Sequence, residues 1–374
     1  MKKSILIHWI LFLSLGSFSC QENAKNIGSR SKVEPQATIG TSDSRFHFTN
    51  QMYSIFEDSK GSFWIGSKEN GLCRYKDKVY TYFTTDDGLP SNSVPNIQED
   101  ENGNIWVESS KKITQFDGRQ FINFDKKYIP TLNIKEHPIQ LAESDLWFRD
   151  QNKIGIYRYD GNDLSFISFE DSTLNLTLKY DHFFVSSITS VVNDQVWFGT
   201  LMQGAIGLDG QTFDKINDES FRFTSDEEFL HIRSMLLDSK DNLWIGNNGI
   251  GVLLKQEDSL IHFSKVQGKL IPMDAFEANT NQKEFAKNIG LQSVFTIEED
   301  REGSIWFGDR DSGAWKYDGK QLYQYSHIYQ KEDVEALIWD IYCAKNGSLY
   351  FVLANGTAFT FDGNAFHPFV GFEN

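Results

Sequence analysis

The chain has 374 residues, with 36 lysines and arginines against 52 aspartates and glutamates, so its formal net charge is −16. This charge argues against the basic surface on which nucleic-acid binding depends. Hydrophobic residues make up 40% and aromatic residues 14% of the chain, which excludes disorder over most of it and favours pleated, half-buried strands.

The N-terminus is predicted to be a targeting segment. Lys2 and Lys3 precede an apolar run of about 14 residues from 5 to 18, and small residues then lead to Cys20. This run is shorter than the ~20 residues of a membrane-spanning helix, so residues 1–19 are interpreted as a signal peptide. The string Ser17-Phe18-Ser19-Cys20 resembles a bacterial lipoprotein cleavage box, which implies lipid on Cys20. Secretion after cleavage elsewhere in this segment is the alternative.

Residues 20–44 are predicted to form a flexible tether. They are polar, almost free of aromatic side chains and without hydrophobic period, so they cannot bury enough surface to become ordered. Acyl chains on Cys20 would hold the following domain on a membrane surface. We therefore expect an extracytoplasmic protein anchored to the bacterial envelope, in the periplasm or at the outer membrane.

A repeated pattern covers residues 45–374. Apolar strands centred on an aromatic residue recur 41 to 62 residues apart, close to the length of one propeller blade. Their central residues are Trp64, Trp106, Trp147, Trp197, Trp244, Trp306 and Tyr350. Seven repeats over about 320 residues average about 46 residues each.

Turn residues recur around each of these aromatic anchors. In several repeats an aspartate lies six residues before the anchor and a glycine three residues before it, as in Asp58, Gly61 and Trp64. An Asp-Gly pair such as Asp117-Gly118 follows a third strand in most repeats, and this pair is a strong hairpin signal. Each repeat therefore predicts four antiparallel strands.

The predicted fold is all-β: one seven-bladed β-propeller with four antiparallel strands per blade, over residues 45–374. A β-sandwich or two smaller barrels is the weaker alternative, because neither requires an aromatic anchor at matched turns. The last repeat carries its own outer strand over residues 365–369, so packing between the first and last blades can close the ring, but the sequence leaves the manner of closure open. The sequence leaves open whether residues 46–48 add a strand.

The repeats resemble a known family. Thr85-Asp86-Asp87-Gly88-Leu89-Pro90, followed by Glu99-Asp100, Gly103 and Ile105-Trp106, is similar to the two-component regulator propeller repeat, and the resemblance extends over about residues 48–370. Such repeats usually form the extracytoplasmic sensor of hybrid histidine kinases and are associated with recognising glycans. Because four residues follow Val370, we expect signalling to require a separate envelope partner such as a sensor kinase.

No motif indicates a cofactor, a metal site or a catalytic group. The eight histidines form no His-x-x-x-His pair, and the phosphate-binding and Gly-x-Ser-x-Gly motifs are absent from the sequence. The acidic turns do not match the calcium-loop template. Three cysteines are too few for a disulfide framework, and Cys73 and Cys343 are expected to remain unpaired.

Recognition is expected on the propeller face formed by the variable connections between strands, since loops on a rigid scaffold commonly carry function. Arginine, aspartate and asparagine beside an aromatic ring suit a hydroxyl-rich ligand. The candidate ligand-binding residues on this face are Arg149, Arg233, Asn247, Asn248, Asp309, Arg310, Asp311 and Trp339.

The sequence favours a non-enzymatic, sensor-like propeller that binds a glycan, a peptide or a protein partner. One alternative is a propeller lyase acting on a polysaccharide or cyclic peptide, with His231 or His137 beside Arg233 as acid and base. A lyase needs only a base and a group that stabilises charge, so a motif search can miss it. A structural scaffold in an envelope complex is the other alternative.

Overall fold

Seven sheets form a seven-bladed β-propeller, as predicted. The computed structural model describes residues 40–171, 173–174, 176, 183–217, 220, 230–256, 259–266, 269–274, 291–325 and 337–372. The predicted signal peptide, Cys20 and most of the tether lie outside the described residues. Among the described residues, no helix is long and apolar enough to cross a membrane.

The strands follow the chain blade by blade. Blade 1 contains β1 Thr41–Asp43, β2 Met52–Glu57, β3 Phe63–Ser67, β4 Leu72–Lys76 and β5 Val79–Phe83. Blade 2 contains β6 Ile97–Glu99, β7 Ile105–Glu108, β8 Lys112–Phe116 and β9 Phe121–Asp125. Blade 3 contains β10 Thr131–Leu132, β11 Leu146–Arg149, β12 Gly155–Tyr159 and β13 Leu164–Ser168. Blade 4 contains β14 Val185–Ile188, β15 Val196–Thr200, β16 Ala205–Leu208 and β17 Phe213–Ile216.

The remaining blades complete the ring. Blade 5 contains β18 Ile232–Leu237, β19 Leu243–Asn247, β20 Val252–Gln256, β21 Ser259–Val266 and β22 Lys269–Asp274. Blade 6 contains β23 Val294–Glu299, β24 Ile305–Asp309, β25 Gly313–Tyr317 and β26 Leu322–Tyr325. Blade 7 contains β27 Ile338–Cys343, β28 Leu349–Leu353, β29 Ala358–Phe361 and β30 Phe366–Pro368. Short 3₁₀ helices cover Thr85–Asp87 and Lys126–Tyr128.

Blade 3 has a different strand order from the other blades. Its hydrogen-bonded order is β10-β13-β12-β11, and β10 pairs with β13 in parallel. Strand β11 carries Trp147, which elsewhere marks the second strand, so this blade lacks the usual innermost strand. The chain fills the outer edge of blade 3 and leaves its channel edge open.

A buried hydrogen bond links the turn aspartate to the anchor tryptophan in four blades. In blade 1 the indole Nε1 of Trp64 donates to Asp58 Oδ2 at 2.9 Å, while Asp58 Oδ1 accepts the N–H groups of Lys60 and Ser62 at 2.9 and 2.7 Å. The equivalent indole bonds, each of 2.8 Å, are Trp106–Asp100, Trp244–Asp238 and Trp306–Asp300. The aspartate of each of these blades therefore stabilises both the hairpin turn and the position of the buried anchor tryptophan.

The anchor tryptophans also pack between neighbouring blades. The ring of Trp64 in blade 1 lies 5.7 Å from Phe116 in blade 2, and Trp244 in blade 5 lies 5.7 Å from Phe307 in blade 6. Both tryptophans are almost completely buried. Aromatic packing of this kind contributes beyond the area it buries, so the tryptophans join each sheet to the next.

The ring closes by packing between blades 1 and 7. The backbone N–H of Met52 donates to Gly356 O at 3.0 Å, and the N–H of Glu57 donates to Tyr342 Oη at 2.8 Å. The ring of Phe372 stacks on Tyr75 with centroids 4.6 Å apart. The extra strand of blade 1 is β1, which pairs with β5, whereas residues 46–48 form no strand.

The aspartate–tryptophan bond should make the fold sensitive to acid. Burial raises the pKa of Asp100, but hydrogen bonds from Asn104, Trp106 and other donors outweigh it and hold that pKa below its ordinary value of 3.8. This carboxylate therefore stabilises the fold above pH 4 and loses its effect as the pH falls further. We expect Asp100→Asn to lower the free energy of unfolding at pH 7 by about 1–3 kcal/mol, with a smaller difference at pH 3, measured by urea denaturation.

Asp117→Asn is the matched control, because Asp117 lies in an exposed turn of the same blade and asparagine can still accept the turn hydrogen bonds. It should change stability by less than about 0.5 kcal/mol. Equal effects of the two substitutions would show that the indole bond contributes nothing.

Ring closure should depend on the ring of Phe372. Phe372→Ala removes the contact with Tyr75 and the contact with Phe63, whose ring centroid is 4.4 Å away. We expect a loss of about 1–2.5 kcal/mol in urea denaturation, since the side chain is only partly buried. Val370→Ala is the control, because Val370 is 71% exposed; an equal loss there would contradict the role given to the aromatic contact.

Candidate functional site

The innermost strands surround a cavity of about 960 Å³, which forms the mouth of the central channel. Strands from blades 1, 2, 4, 5, 6 and 7 contribute to its wall, and Arg149 contributes from blade 3. A concave space of this size suits a small-molecule or oligomeric ligand.

A β-bulge at the same place in five innermost strands determines which side chains enter the channel. In β2, for example, Met52 pairs with Ser67 and Ser54 with Gly66, so the residue between them has no partner in β3. Bulges re-aim a side chain and are common beside functional sites. The five bulged residues, all of which line the channel, are Tyr53, Ser186, Arg233, Phe295 and Trp339.

Three of these residues form an aromatic arc, composed of Phe295, Trp339 and Tyr53 from the consecutive blades 6, 7 and 1. The rings of Tyr53 and Trp339 lie 5.5 Å apart at 49°. Trp339 is 39% exposed, in contrast to the buried anchor tryptophans. At the blade 5 end of the arc, the guanidinium of Arg233 lies 4.7 Å from the ring centre of Phe295. An exposed indole in a concave surface is typical of a binding site.

Side chains take the place of the missing inner strand in blade 3. The Gln98 amide donates through Nε2 to Trp147 O at 2.9 Å and accepts from Trp147 N at 3.3 Å. Glu108 Oε2 accepts from the N–H of Arg149 at 2.6 Å, and Lys126 Nζ donates to Arg149 O at 2.5 Å. Because these groups satisfy the free edge of β11, Arg149 is fixed at the channel wall.

Arg149 acts electrostatically across the channel. Burial raises the pKa of Tyr53 in blade 1, and the positive charge of Arg149 opposes this rise. Burial also raises the pKa of Asp340 in blade 7 to about 7, against the opposing effects of the Ile341 N–H and of Arg149. One guanidinium from blade 3 therefore influences groups on two blades on the other side of the mouth.

Asp340 is an exception among equivalent residues. The position after the bulge is occupied in other blades by Ser54, Ser187, Ser234 and Thr296. Several of these hydroxyls bond to the neighbouring inner strand, as in Ser187 Oγ, which accepts the N–H of Met235 in β18 at 2.8 Å. A carboxylate replaces the hydroxyl in blade 7, and the side chain lines the channel, where water reaches part of it.

A second carboxyl group lies near Asp340. Burial raises the pKa of Glu298 to about 8, opposed by the Cys343 N–H and reinforced by the negative charges of Asp340 and Glu299. Asp340 and Glu298 both line the channel. The channel lining therefore holds two carboxyl groups whose pKa values lie near neutral pH.

The structure brings three of the predicted ligand-binding residues together: Arg149, Arg233 and Trp339 all line the channel. Arg310, Asp311 and Asn248 form a neighbouring surface group. In this group the Arg310 guanidinium donates to Asp311 at 2.8–3.1 Å, and its Nη1 donates to Asn248 Oδ1 at 3.3 Å.

The two remaining predicted residues, Asn247 and Asp309, are buried rather than exposed to the channel. Asp309 Oδ2 accepts the N–H groups of Gln292 and Ser293 at 3.0 and 2.8 Å. The N–H of Asn247 donates to Gly251 O at 2.9 Å. Their positions at the ends of β19 and β24 give them contacts that hold the adjoining turns.

The histidines proposed for a lyase are placed differently. His231 does not appear among the described channel-lining residues, although burial and the charge of Arg233 lower its pKa. His137 is exposed in the segment between β10 and β11. No hydrogen bond between a histidine and Arg233 occurs among the described residues.

Tyr53, Phe295, Asp340 and Glu298 were not predicted from the sequence as site residues. A usable signal was present, because each of the five bulged innermost strands begins with an apolar residue, a variable residue, a polar residue and a second apolar residue. Ile338-Trp339-Asp340-Ile341 shows this pattern in blade 7. The variable second position is the one that enters the channel.

Comparison with known sequences supports the resemblance described above. The sequence profile of the family named Two component regulator propeller matches residues 48–69 and 88–107, which lie in the first two blades and the segment between them. These two segments are therefore similar to two-component regulator propeller repeats. No curated protein matches the chain.

Solved structures show the same fold. The extracellular domain of a hybrid two component system from B. thetaiotaomicron aligns with a TM-score of 0.54 at 20% identity, over 81% of this chain and 38% of its own. A virginiamycin B lyase from Staphylococcus aureus aligns with a TM-score of 0.53 at 13% identity, over 84% of this chain and 95% of its own.

PorZ, a surface component of the type-IX secretion system of Porphyromonas gingivalis, aligns with a TM-score of 0.55 at 14% identity, over 83% of this chain and 46% of its own. This chain therefore spans less than half of the sensor domain and of PorZ. At these identities the three likenesses establish the propeller fold alone.

The ionisable group of Asp340 should lower stability above neutral pH. Its ordinary pKa is 3.8 and its pKa in the fold is about 7, so the folded state holds the proton more strongly and becomes less stable as the pH rises from 4 through 7. Asp340→Asn cannot ionise, and we expect it to raise the free energy of unfolding at pH 8 by about 1–2 kcal/mol, because channel water screens part of the burial cost.

Urea denaturation at pH 4 and pH 8 tests this expectation, and the gain should be smaller at pH 4. Asp160→Asn, in an exposed Asp-Gly turn, is the control and should show no gain at either pH. No gain for Asp340→Asn at pH 8 would mean that the carboxylate is solvated like a surface group.

Proposed function

We propose that this chain is a non-enzymatic recognition propeller that works outside the cytoplasm and binds its ligand at the channel mouth. The observation that supports this most directly is the aromatic arc. Five equivalent bulges turn side chains of different chemistry into one cavity, and one of them is an exposed tryptophan. A large indole exposed in a concave site is costly for a monomer to maintain and is typical of binding.

We propose a glycan as the ligand class, with a protein partner as the alternative. Aromatic faces such as those of Trp339 and Tyr53 pack against the apolar faces of sugar rings. The lining also contains many short hydroxyl and amide side chains, which suit sugar hydroxyls. They include Ser91, Ser93, Asn96, Ser109, Ser186 and Ser187.

The lyase alternative has one point in its favour. Asp340 has a pKa of about 7, which suits a general base at neutral pH, and Arg149 could stabilise developing negative charge. However, no hydrogen bond joins these two residues within the described part of the chain. We therefore place binding first. A lyase would produce unsaturated sugar ends that absorb in the ultraviolet, and Asp340→Asn would abolish that product while retaining binding.

We further propose that residues 1–19 direct export, that Cys20 carries lipid, and that residues 20–44 tether the propeller to the envelope. Signalling would then require a separate partner such as a sensor kinase. The likeness to an extracellular sensor domain supports this proposal through the fold alone. Metabolic labelling with a fatty-acid analogue, compared between the wild-type chain and Cys20→Ser, tests the anchor.

Ligand binding should depend on Trp339. We expect the full chain to show a thermal shift with members of a glycan panel, since a ligand at 100 times its Kd adds about 2.7 kcal/mol of stability. Trp339→Ala should abolish that shift while leaving the melting temperature of the free protein nearly unchanged, because the indole is already partly exposed.

Tyr323→Ala is the matched control, since Tyr323 is 43% exposed on the outermost strand of blade 6. It should bind like the wild type. A peptide or protein that binds in a Trp339-dependent manner while every glycan fails would favour the protein-partner alternative. Binding that survives Trp339→Ala would contradict the channel mouth as the site.

A further inference from the structure

The guanidinium of Arg233 has no anionic partner within the described part of the chain. It lies over Phe295, its Nε atom is buried without a hydrogen-bond partner, and the charge of the nearby Arg310 repels it. Arg158 provides the contrast in the same fold, because its Nε and Nη2 donate to Asp145 at 2.7 and 2.8 Å. A half-buried cation without a partner is costly unless an anion binds to it.

The Nε atom of Arg149 is likewise buried without a hydrogen-bond partner, but Arg149 differs from Arg233 in having acidic groups nearby. Its Nη1 lies 3.9 Å from Glu108 Oε1, and it acts on the carboxyl group of Asp340. These two acidic groups already balance part of its charge. Arg233 is therefore the cation at the mouth that an anionic ligand group would neutralise.

We propose that the ligand is an acidic saccharide, with a sugar ring against Trp339 and Tyr53 and a carboxylate or sulfate ester bound by Arg233. This proposal rests on the function proposed above and specifies its ligand class. The arc places the stacking surface and the cation side by side, since Phe295 contacts the guanidinium and its neighbours in the next two blades supply the exposed rings. Arginine binds either anion through two parallel hydrogen bonds.

The channel wall favours a saccharide over an acidic peptide. Peptides in extended conformation commonly bind by pairing their backbone with a free strand edge. The channel edge of β11 is the place where a strand is missing, but Gln98, Glu108 and Lys126 already occupy its backbone groups. Among the lining side chains, the Ser93 hydroxyl and the Asn96 amide have no hydrogen-bond partner within the described part of the chain and are available for sugar hydroxyls.

Isothermal titration of the full chain tests the proposal with four probes. Oligogalacturonides carry carboxylates, carrageenan oligosaccharides carry sulfates, malto-oligosaccharides are neutral, and a glutamate-rich peptide represents the peptide alternative. We expect at least one of the two acidic saccharides to bind, and the difference between their affinities identifies which anion is preferred. Arg233→Gln should weaken that binding about 10- to 100-fold, as expected for the loss of a charge-assisted pair, and added salt should weaken it in the wild type.

Arg119→Gln is the matched control, because it removes the same charge from an exposed turn of blade 2 and should leave affinity unchanged. Melting temperatures of both variants establish that they fold. Equal binding of acidic saccharides by Arg233→Gln and Arg119→Gln would overturn the proposal.

Two further outcomes separate the ligand class from the proposed function. Tight, Trp339-dependent binding of the neutral saccharide alone would overturn the acidic ligand and leave glycan recognition intact. Binding of the peptide alone would overturn the saccharide. Failure of all four probes would contradict both proposals.

Discussion

The hydrogen bond between a turn aspartate and the anchor tryptophan is the constraint on which the rest of the structure depends. In blade 6, Asp300 Oδ1 accepts the N–H of Ser304 at 2.8 Å while its Oδ2 accepts from Trp306 Nε1 at 2.8 Å. The first bond fixes the hairpin between the innermost and second strands, and the second bond fixes that hairpin against the core. Together they set the register of β23 on β24, and a shift of one residue would turn every side chain to the opposite face.

The register in turn determines the chemistry of the channel. The bulge lies 11 residues before the aromatic anchor in five blades and presents one side chain per blade to the mouth. In blades 1, 5 and 6 the aspartate–tryptophan bond holds the turn between the bulge and the anchor. The scaffold therefore tolerates variation there: Ser186, Arg233 and Trp339 occupy equivalent places. The carboxyl groups of Asp340 and Glu298 oppose stability near neutral pH, which is the kind of cost that functional sites retain.

The sequence was sufficient to predict the propeller because its signals are local. The aromatic anchor, the Asp-Gly turns and the spacing of Trp64, Trp106 and their equivalents depend on neighbouring residues. The second role of Asp58 was not predicted, since a turn propensity accounts for it without the indole bond. Only part of the predicted site came together in the structure. The strand register alone does not distinguish a channel position such as Arg233 from a buried strand end such as Asp309, because the position of the bulge decides which side chain enters the channel.

The missing innermost strand of blade 3 shapes the candidate site. A complete inner strand there would cover β11 and separate Arg149 from the channel. The open edge would leave N–H and C=O groups without partners, which is costly in a buried site. Gln98, Glu108 and Lys126 supply those partners from blade 2 and the segment that follows it, and they leave space at the channel wall. Variation in one blade thus widens the mouth and adds a cation opposite the aromatic arc, while the packing of the aromatic anchors in the other blades is retained.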